Sequence, residues 1–71
     1  MDLPINTLFK AKGKRIIARL KNGTIYKGKL DSSDNFMNLA LSEVEEVIES
    51  NTFGHPKVFL KGNNLLFIQI L

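Results

Sequence analysis

From Ile16 onward, apolar side chains return at every second position, and that period confines this part of the chain to extended strands. Ile16, Ala18 and Leu20 alternate with Ile17, Arg19 and Lys21, the spacing by which a strand buries one face and wets the other. Asn22-Gly23 follows, a pair that accepts positive φ and predicts a two-residue turn, and Thr24 to Leu30 then alternates again. A hairpin is the reading. Gly28, in the middle of the second strand, has nothing to pack and marks a sharp bend or bulge of the kind a small barrel needs to turn a corner.

Elsewhere the pattern is more mixed. Asp2-Leu3-Pro4-Ile5 opens like a short helix that Gly13 would end, since proline is tolerated in a first turn. After a polar turn at Ser32 to Asn35, Met37, Leu39 and Leu41 form a third alternating strand. Ser42 to Ser50, read alone, predicts a helix: Leu41, Val44 and Val47 or Ile48 have helical spacing, and Ser42 with Glu45 imitates a capping box. Asn51 to Lys57, with Gly54 and Pro56, reads as a turn before the short strand Val58 to Leu60. The final run, Leu65 to Leu71, is apolar on both faces. Exposed, it would aggregate, so a neighbouring subunit is the economical cover.

Size points the same way. A chain of 71 residues and 8.0 kDa makes one domain, 1–71, whose core is small against its conformational entropy. Disulfides and histidine-rich metal sites are excluded as staples by zero cysteines and a single histidine, His55. Self-association remains. The N-terminal segment lacks the apolar run of a signal peptide, and no stretch approaches a membrane span, so the expectation is a soluble, intracellular protein without metal or cofactor. A net charge of +3 and a pI near 9.5 suit a polyanion. The cations Lys10, Lys12, Lys14, Arg15, Arg19, Lys21, Lys27 and Lys29 fall in the first half, whereas Glu43, Glu45, Glu46 and Glu49 gather in the second. Solvated faces are the plain reading of single charges. The Lys10 to Arg15 cluster is also suited to phosphate contacts.

Catalytic constellations fail quickly. No Cys-His pair can form, a Ser-His-Asp set would need His55 from a turn beside Pro56, and the glutamates read as a solvated face. Lys61-Gly62-Asn63-Asn64 lacks the spacing of a phosphate loop. What remains is a pair of strand-flanked loops, Asp34-Asn35-Phe36-Met37-Asn38 and Lys61 to Asn64. Phe36 can stack on a base, or simply pack in the core. Asn38 can pair with a base edge, or stabilise its own turn. Lys61 can lie along a base or meet a phosphate, and Gly62 lets backbone approach a ligand.

Through these residues the chain resembles the Sm and Sm-like (LSm) family over nearly its whole length. Ile16-x-Ala18-x-Leu20-Lys21-Asn22-Gly23 through Tyr26-x-Gly28-x-Leu30, then Asp34-x-Phe36-Met37-Asn38-Leu39-x-Leu41, resembles the first Sm motif; Phe59-Leu60-Lys61-Gly62-Asn63-Asn64 resembles the second. The Lys-His motif of the bacterial Hfq type is absent, so the archaeal and eukaryotic-like Sm type fits better. The resemblance implies a mainly β fold, with a short N-terminal helix on a five-stranded, strongly bent, partly open antiparallel barrel. It also overrides the local helix, making Ser42 to Ile48 the end of the third strand and the entry to the fourth.

By the same resemblance, the fourth strand of one subunit pairs with the fifth of the next, most often in a seven-membered ring. Here a homoheptamer is expected, with Val58 to Leu60 and Leu65 to Ile70 at the seam, and uridine-rich single-stranded RNA in the pore. The implied roles are stacking on uracil for Phe36, hydrogen bonding to its edge for Asn38, a covering lid for Lys61, completion of the pocket for Gly62 and Asn63, and orientation of Asn38 for Asp34. Lys10, Lys12, Lys14 and Arg15 would be secondary phosphate contacts. Many archaeal members carry His at the Phe36 position and Arg at the Lys61 position. Lacking a planar guanidinium, Lys61 is the poorer lid, which implies weaker and more salt-sensitive uridine selectivity. The expected protein is therefore no enzyme but an RNA-binding ring subunit acting in RNA processing or as an RNA chaperone. Its competitors are a monomeric basic barrel coating duplex DNA and a scaffolding ring that meets RNA incidentally.

Overall fold

In the computed structural model, residues 5–71 are described; the expected helix opening at Asp2 to Pro4 lies outside them. A helix α1 (Ile5–Lys10) leads into strands β1 (Arg15–Leu20), β2 (Ile25–Ser33), β3 (Leu39–Ile48), β4 (Asn51–Leu60) and β5 (Leu65–Ile70), with a 3-10 turn at Gly62–Asn64. The strands form one antiparallel sheet in the order β4-β3-β2-β1-β5. This is the mainly β, bent and unclosed architecture expected, and it leaves β4 and β5 as edges.

Two bulges bend the sheet. Between the β2–β3 pairs Lys27↔Glu45 and Lys29↔Ser42 the register slips, so Gly28 faces both Glu43 and Val44. Glu43 takes φ +50 to do so. A Cβ on Gly28 would stand 3.0 Å from the Ser42 carbonyl oxygen and 3.1 Å from Val44 Cγ2, tighter than ordinary packing contacts, so glycine lets β3 fold closely over β2 here. The register slips back between Leu30 and Ser32, where Asp31 is the extra residue and accepts a 2.9 Å hydrogen bond from the Ser42 hydroxyl.

The first bulge explains the false helical signal. Leu41 and Val44 are both buried although three positions apart, because the intervening Glu43 resets which face is inward. The helical spacing of Ser42 to Ser50 is thus an alternating strand interrupted once, and the segment through Ile48 belongs to β3 alone. The turn expected at Asn51 to Lys57 is strand as well; the reversal occurs at Glu49 and Ser50, between the paired Ile48 and Asn51. Pro56 is tolerated because β4 is an edge and the ladder skips from Ser42↔Lys57 to Val44↔His55. His55 is accordingly a strand residue, not a loop residue. At the first hairpin Gly23 alone takes positive φ, +93°. Its N–H donates to the Leu20 carbonyl at 2.9 Å, and the Leu20 N–H donates to the Thr24 carbonyl at 2.9 Å. The loop therefore holds Lys21, Asn22 and Gly23, one residue more than the sequence predicts.

Leu8 and Ala11, from α1 and the turn after it, join Ile16, Ala18, Leu30, Leu39, Leu41, Val44, Leu60 and Ile68 in a single buried cluster. The helix closes one side of the bent sheet. Large apolar side chains remain outside the core on the two edge strands: Phe53 and Phe59 on β4, Leu66 on β5 and Leu71 just beyond it.

Candidate nucleic-acid interface

The bend brings the β2–β3 loop against the β4–β5 loop, two segments more than twenty residues apart in sequence. Asp34 organises the first. Its Oδ1 accepts from the backbone N–H groups of Phe36 at 2.9 Å and Asn38 at 3.0 Å, while its Oδ2 accepts from Asn38 Nδ2 at 2.9 Å. These bonds stabilise the carboxylate, the Asn38 side-chain bond foremost, and hold the Asp34 pKa below its ordinary value. The loop is closed further by the Met37 N–H, which donates to the Asp34 carbonyl at 3.0 Å.

Asn38 joins the two loops. Its Oδ1 accepts from the Gly62 N–H at 2.8 Å while its Nδ2 donates to Asp34, which fixes the amide plane and leaves one N–H and one oxygen lone pair for another partner. Gly62 is required by the protein's own backbone: a Cβ there would overlap the Phe36 carbonyl oxygen and fall 2.9 Å from the Met37 carbonyl carbon. Sequence alone assigns the smallness of Gly62 to ligand approach; the structure supplies this nearer reason. Met37 enters the site through its backbone, with φ +60, a feature no side-chain pattern announces.

The five residues Phe36, Asn38, Lys61, Gly62 and Asn63, with Met37, line one open depression of about 370 Å³. Phe36 is 80% exposed, so core packing, the plain alternative for it, does not apply. Lys61 and Asn63 are exposed and Asn38 is half-buried. The arrangement offers an aromatic face, an oriented amide edge and a cation around one cavity. A second depression of about 280 Å³ shares Asn38 and Lys61 with it and reaches Asp34 and Phe59. Lys10, Lys12, Lys14 and Arg15 are exposed but line neither depression; they cluster from the end of α1 to the start of β1.

The glutamates do not act together. Glu46 alone is engaged, accepting from the Tyr26 hydroxyl at 2.6 Å and pairing with His55 Nε2 at 2.8 Å. Among the described residues no group of acidic and histidine side chains is disposed to hold a metal ion, and no helix is long and apolar enough to cross a membrane.

Residues 6–70 match the LSM domain. The chain belongs to the LSM family. Its members are RNA-binding, non-enzymatic proteins, and the Sm-like chain is not an enzyme. It is 39% identical over 71 residues to LSM complex subunit lsm6 of Schizosaccharomyces pombe, covering 96% of this chain and 92% of that protein. LSM complex subunit lsm4 of the same organism is 36% identical over 70 residues, 96% of this chain but 58% of the longer protein. Among solved structures, the P. aerophilum SmAP1 heptamer superimposes with a TM-score of 0.90 at 30% identity, over 100% of this chain and 96% of the other. The Sm protein of Pyrococcus abyssii, solved in complex with a uridine heptamer, has a TM-score of 0.89 at 22% identity, over 99% and 100%; at that identity the likeness concerns the fold.

Proposed function

We propose that this LSm chain is the subunit of a closed homoheptameric ring that binds uridine-rich single-stranded RNA in its pore and serves RNA processing or RNA chaperoning inside the cell. The observation that carries the reading is the held amide of Asn38, bonded on one side to Asp34 and on the other to Gly62, beside an exposed Phe36 and Lys61. Such an amide presents one donor and one acceptor in fixed orientation, which suits the mixed donor and acceptor edge of an unpaired uracil. Phe36 supplies a stacking face that any base can use, so the preference for uracil rests on Asn38. Lys61 and Asn63 close the remaining sides, with Lys61 the weaker lid for want of a planar group. Lys10, Lys12, Lys14 and Arg15 would meet phosphates without reading sequence.

Ring closure is supported by the two open edges. β4 exposes Phe53 and Phe59, and Leu66 and Leu71 are exposed along the β5 edge, so pairing β4 of one copy with β5 of the next satisfies both ladders and covers apolar surface. The heptameric assembly of the SmAP1 neighbour is consistent with seven copies. Native mass measurement together with binding of uridine and adenosine oligomers tests the whole reading. A seven-fold particle that prefers the uridine oligomer is expected. An 8.0 kDa monomer that binds duplex DNA as well as it binds uridine would replace it with the duplex-coating alternative, and a ring indifferent to RNA would replace it with the scaffold.

A further inference from the structure

The outer wall of β1 and β2 carries cations that close no ion pair among the described residues. Strand register sets Arg15 directly opposite Lys29 and Ile17 opposite Lys27. By strand alternation Arg19 lies on the same face of β1 as Arg15 and Ile17. All four basic side chains are exposed. Just before β1 the Gly13 N–H donates to the Leu30 carbonyl at 2.7 Å and the Leu30 N–H to the Lys14 carbonyl at 2.9 Å, which sets Lys14 opposite the buried Leu30 and so off the face that carries Arg15 and Lys29.

Like charges set directly opposite each other across an antiparallel pair are destabilising. The acids that would relieve the repulsion are engaged elsewhere or stand off. Among the described residues the one ion pair is His55 with Glu46, and Glu46 pairs with Tyr26, whose side chain points to the opposite face from that of Lys27. Glu45 is in register with Lys27 but closes no ion pair with it. The wall also lies on strands with partners on both sides, so closure of a ring through β4 and β5 would leave it open.

We propose that this wall is a second nucleic-acid site, distinct from the loop depression, which holds the phosphate backbone of RNA without reading its bases. The row from Arg15 to Arg19 runs about 13 Å at roughly 3.3 Å per residue, and Lys27 and Lys29 run beside it on β2, so it is a track and not a single point. Exposed lysines and arginines on such a track bind by releasing condensed counterions. An anionic lipid surface would share the charge, but the large apolar side chains among the cations, Ile17 with Ile25 and Phe67 beside Arg19, are half-buried and not free to insert.

The test uses the intact particle, with mass and thermal unfolding checked for each variant. Binding of an adenosine oligomer and a uridine oligomer is measured as a function of salt for the parent, a Lys27→Gln/Lys29→Gln double variant and Phe36→Ala. In the double variant the plot of log affinity against log salt is expected to become shallower by about 0.7 for each phosphate no longer neutralised, for both oligomers alike. The ratio of uridine to adenosine affinity stays unchanged. Phe36→Ala reports on the loop depression alone, so the two sites fail or succeed separately. A double variant of unchanged mass that keeps the parental slope overturns the proposal, whatever Phe36→Ala does. So does capture of the parent, and not the double variant, by phosphatidylserine-containing vesicles when the RNA slope is unaltered, since the wall would then be a lipid-binding face.

Discussion

The backbone N–H of Gly62 donates a 2.8 Å hydrogen bond to the side-chain oxygen of Asn38, and through this bond two loops distant in sequence become one surface. The α-carbon of Gly62 lies so near the Phe36 carbonyl that a methyl group there would overlap its oxygen. Gly62→Ala must therefore separate the loops. A cost of about 1–3 kcal/mol in stability is expected, the usual range for overpacking, with uridine binding weakened in rings that still assemble. Denaturant unfolding and oligomer titration measure the two effects; a stable Gly62→Ala ring that binds uridine as the parent does would show that the loops need not touch.

Stacking and edge reading separate from charge attraction in a second set of variants. Phe36→Ala should cost about 1–3 kcal/mol per occupied site for any base. Asn38→Ala removes the oriented amide and should narrow the gap between uridine and adenosine oligomers. Lys12→Ala or Lys14→Ala should weaken both oligomers equally and flatten the salt dependence. If rings carrying Phe36→Ala and Asn38→Ala bind both oligomers like the parent, the depression is not the site.

Much of this fold is legible in the residues before any coordinates. The alternation of Ile16 to Leu20 and the isolation of Gly28 announce a hairpin and its bend, because a strand's burial period and a missing side chain are local facts. The run from Ser42 to Lys57 is misread for an equally physical cause: the bulge at Glu43 shifts the inward face by one residue and turns an alternating strand into a helical spacing. Pro56 compounds it, since nothing local reveals that its strand is an edge. At the candidate site, Phe36, Asn38 and Lys61 can be picked out by residue type, and the resemblance to Sm proteins pairs their loops. The clash that excludes any side chain at Gly62 depends on tertiary approach and is visible only in the fold, whereas the Asp34 bonds to the Phe36 and Asn38 N–H groups are local to one loop.

Assembly can be probed without damaging the subunit, provided the residue is chosen by exposure. Ile68 is 2% exposed and belongs to the subunit's own core, so a charge there buries an unpaired ion and unfolds the chain. Leu66 on the same edge strand is 52% exposed. Leu66→Glu should leave the subunit folded but break the β4 to β5 seam, giving smaller particles by light scattering with strand content retained by circular dichroism. A Leu66→Glu variant with the parental mass would move the seam elsewhere.

The last test concerns alkaline stability and the bond between Tyr26 and Glu46. Burial foremost, then the hydrogen bond and charge of Glu46, push the Tyr26 pKa from 10.0 up to about 12. Glu46 is held below its ordinary value by the same hydroxyl and then by His55. For Tyr26 the folded pKa exceeds the unfolded one, so its contribution is fully present below pH 10 and fades as pH rises toward 12. Glu46 has the opposite sign: its contribution is present above the usual carboxylate range and fades as pH falls through its depressed folded value. The measurement must be a difference, so that the effect of alkali on the rest of the fold cancels. Denaturant midpoints of the parent and Tyr26→Phe should lie furthest apart near neutral pH and converge between pH 10 and 12, while the phenolate absorption of the parent rises late. Midpoint curves that stay parallel across that window would mean that the 2.6 Å bond contributes nothing to holding β2 against β3.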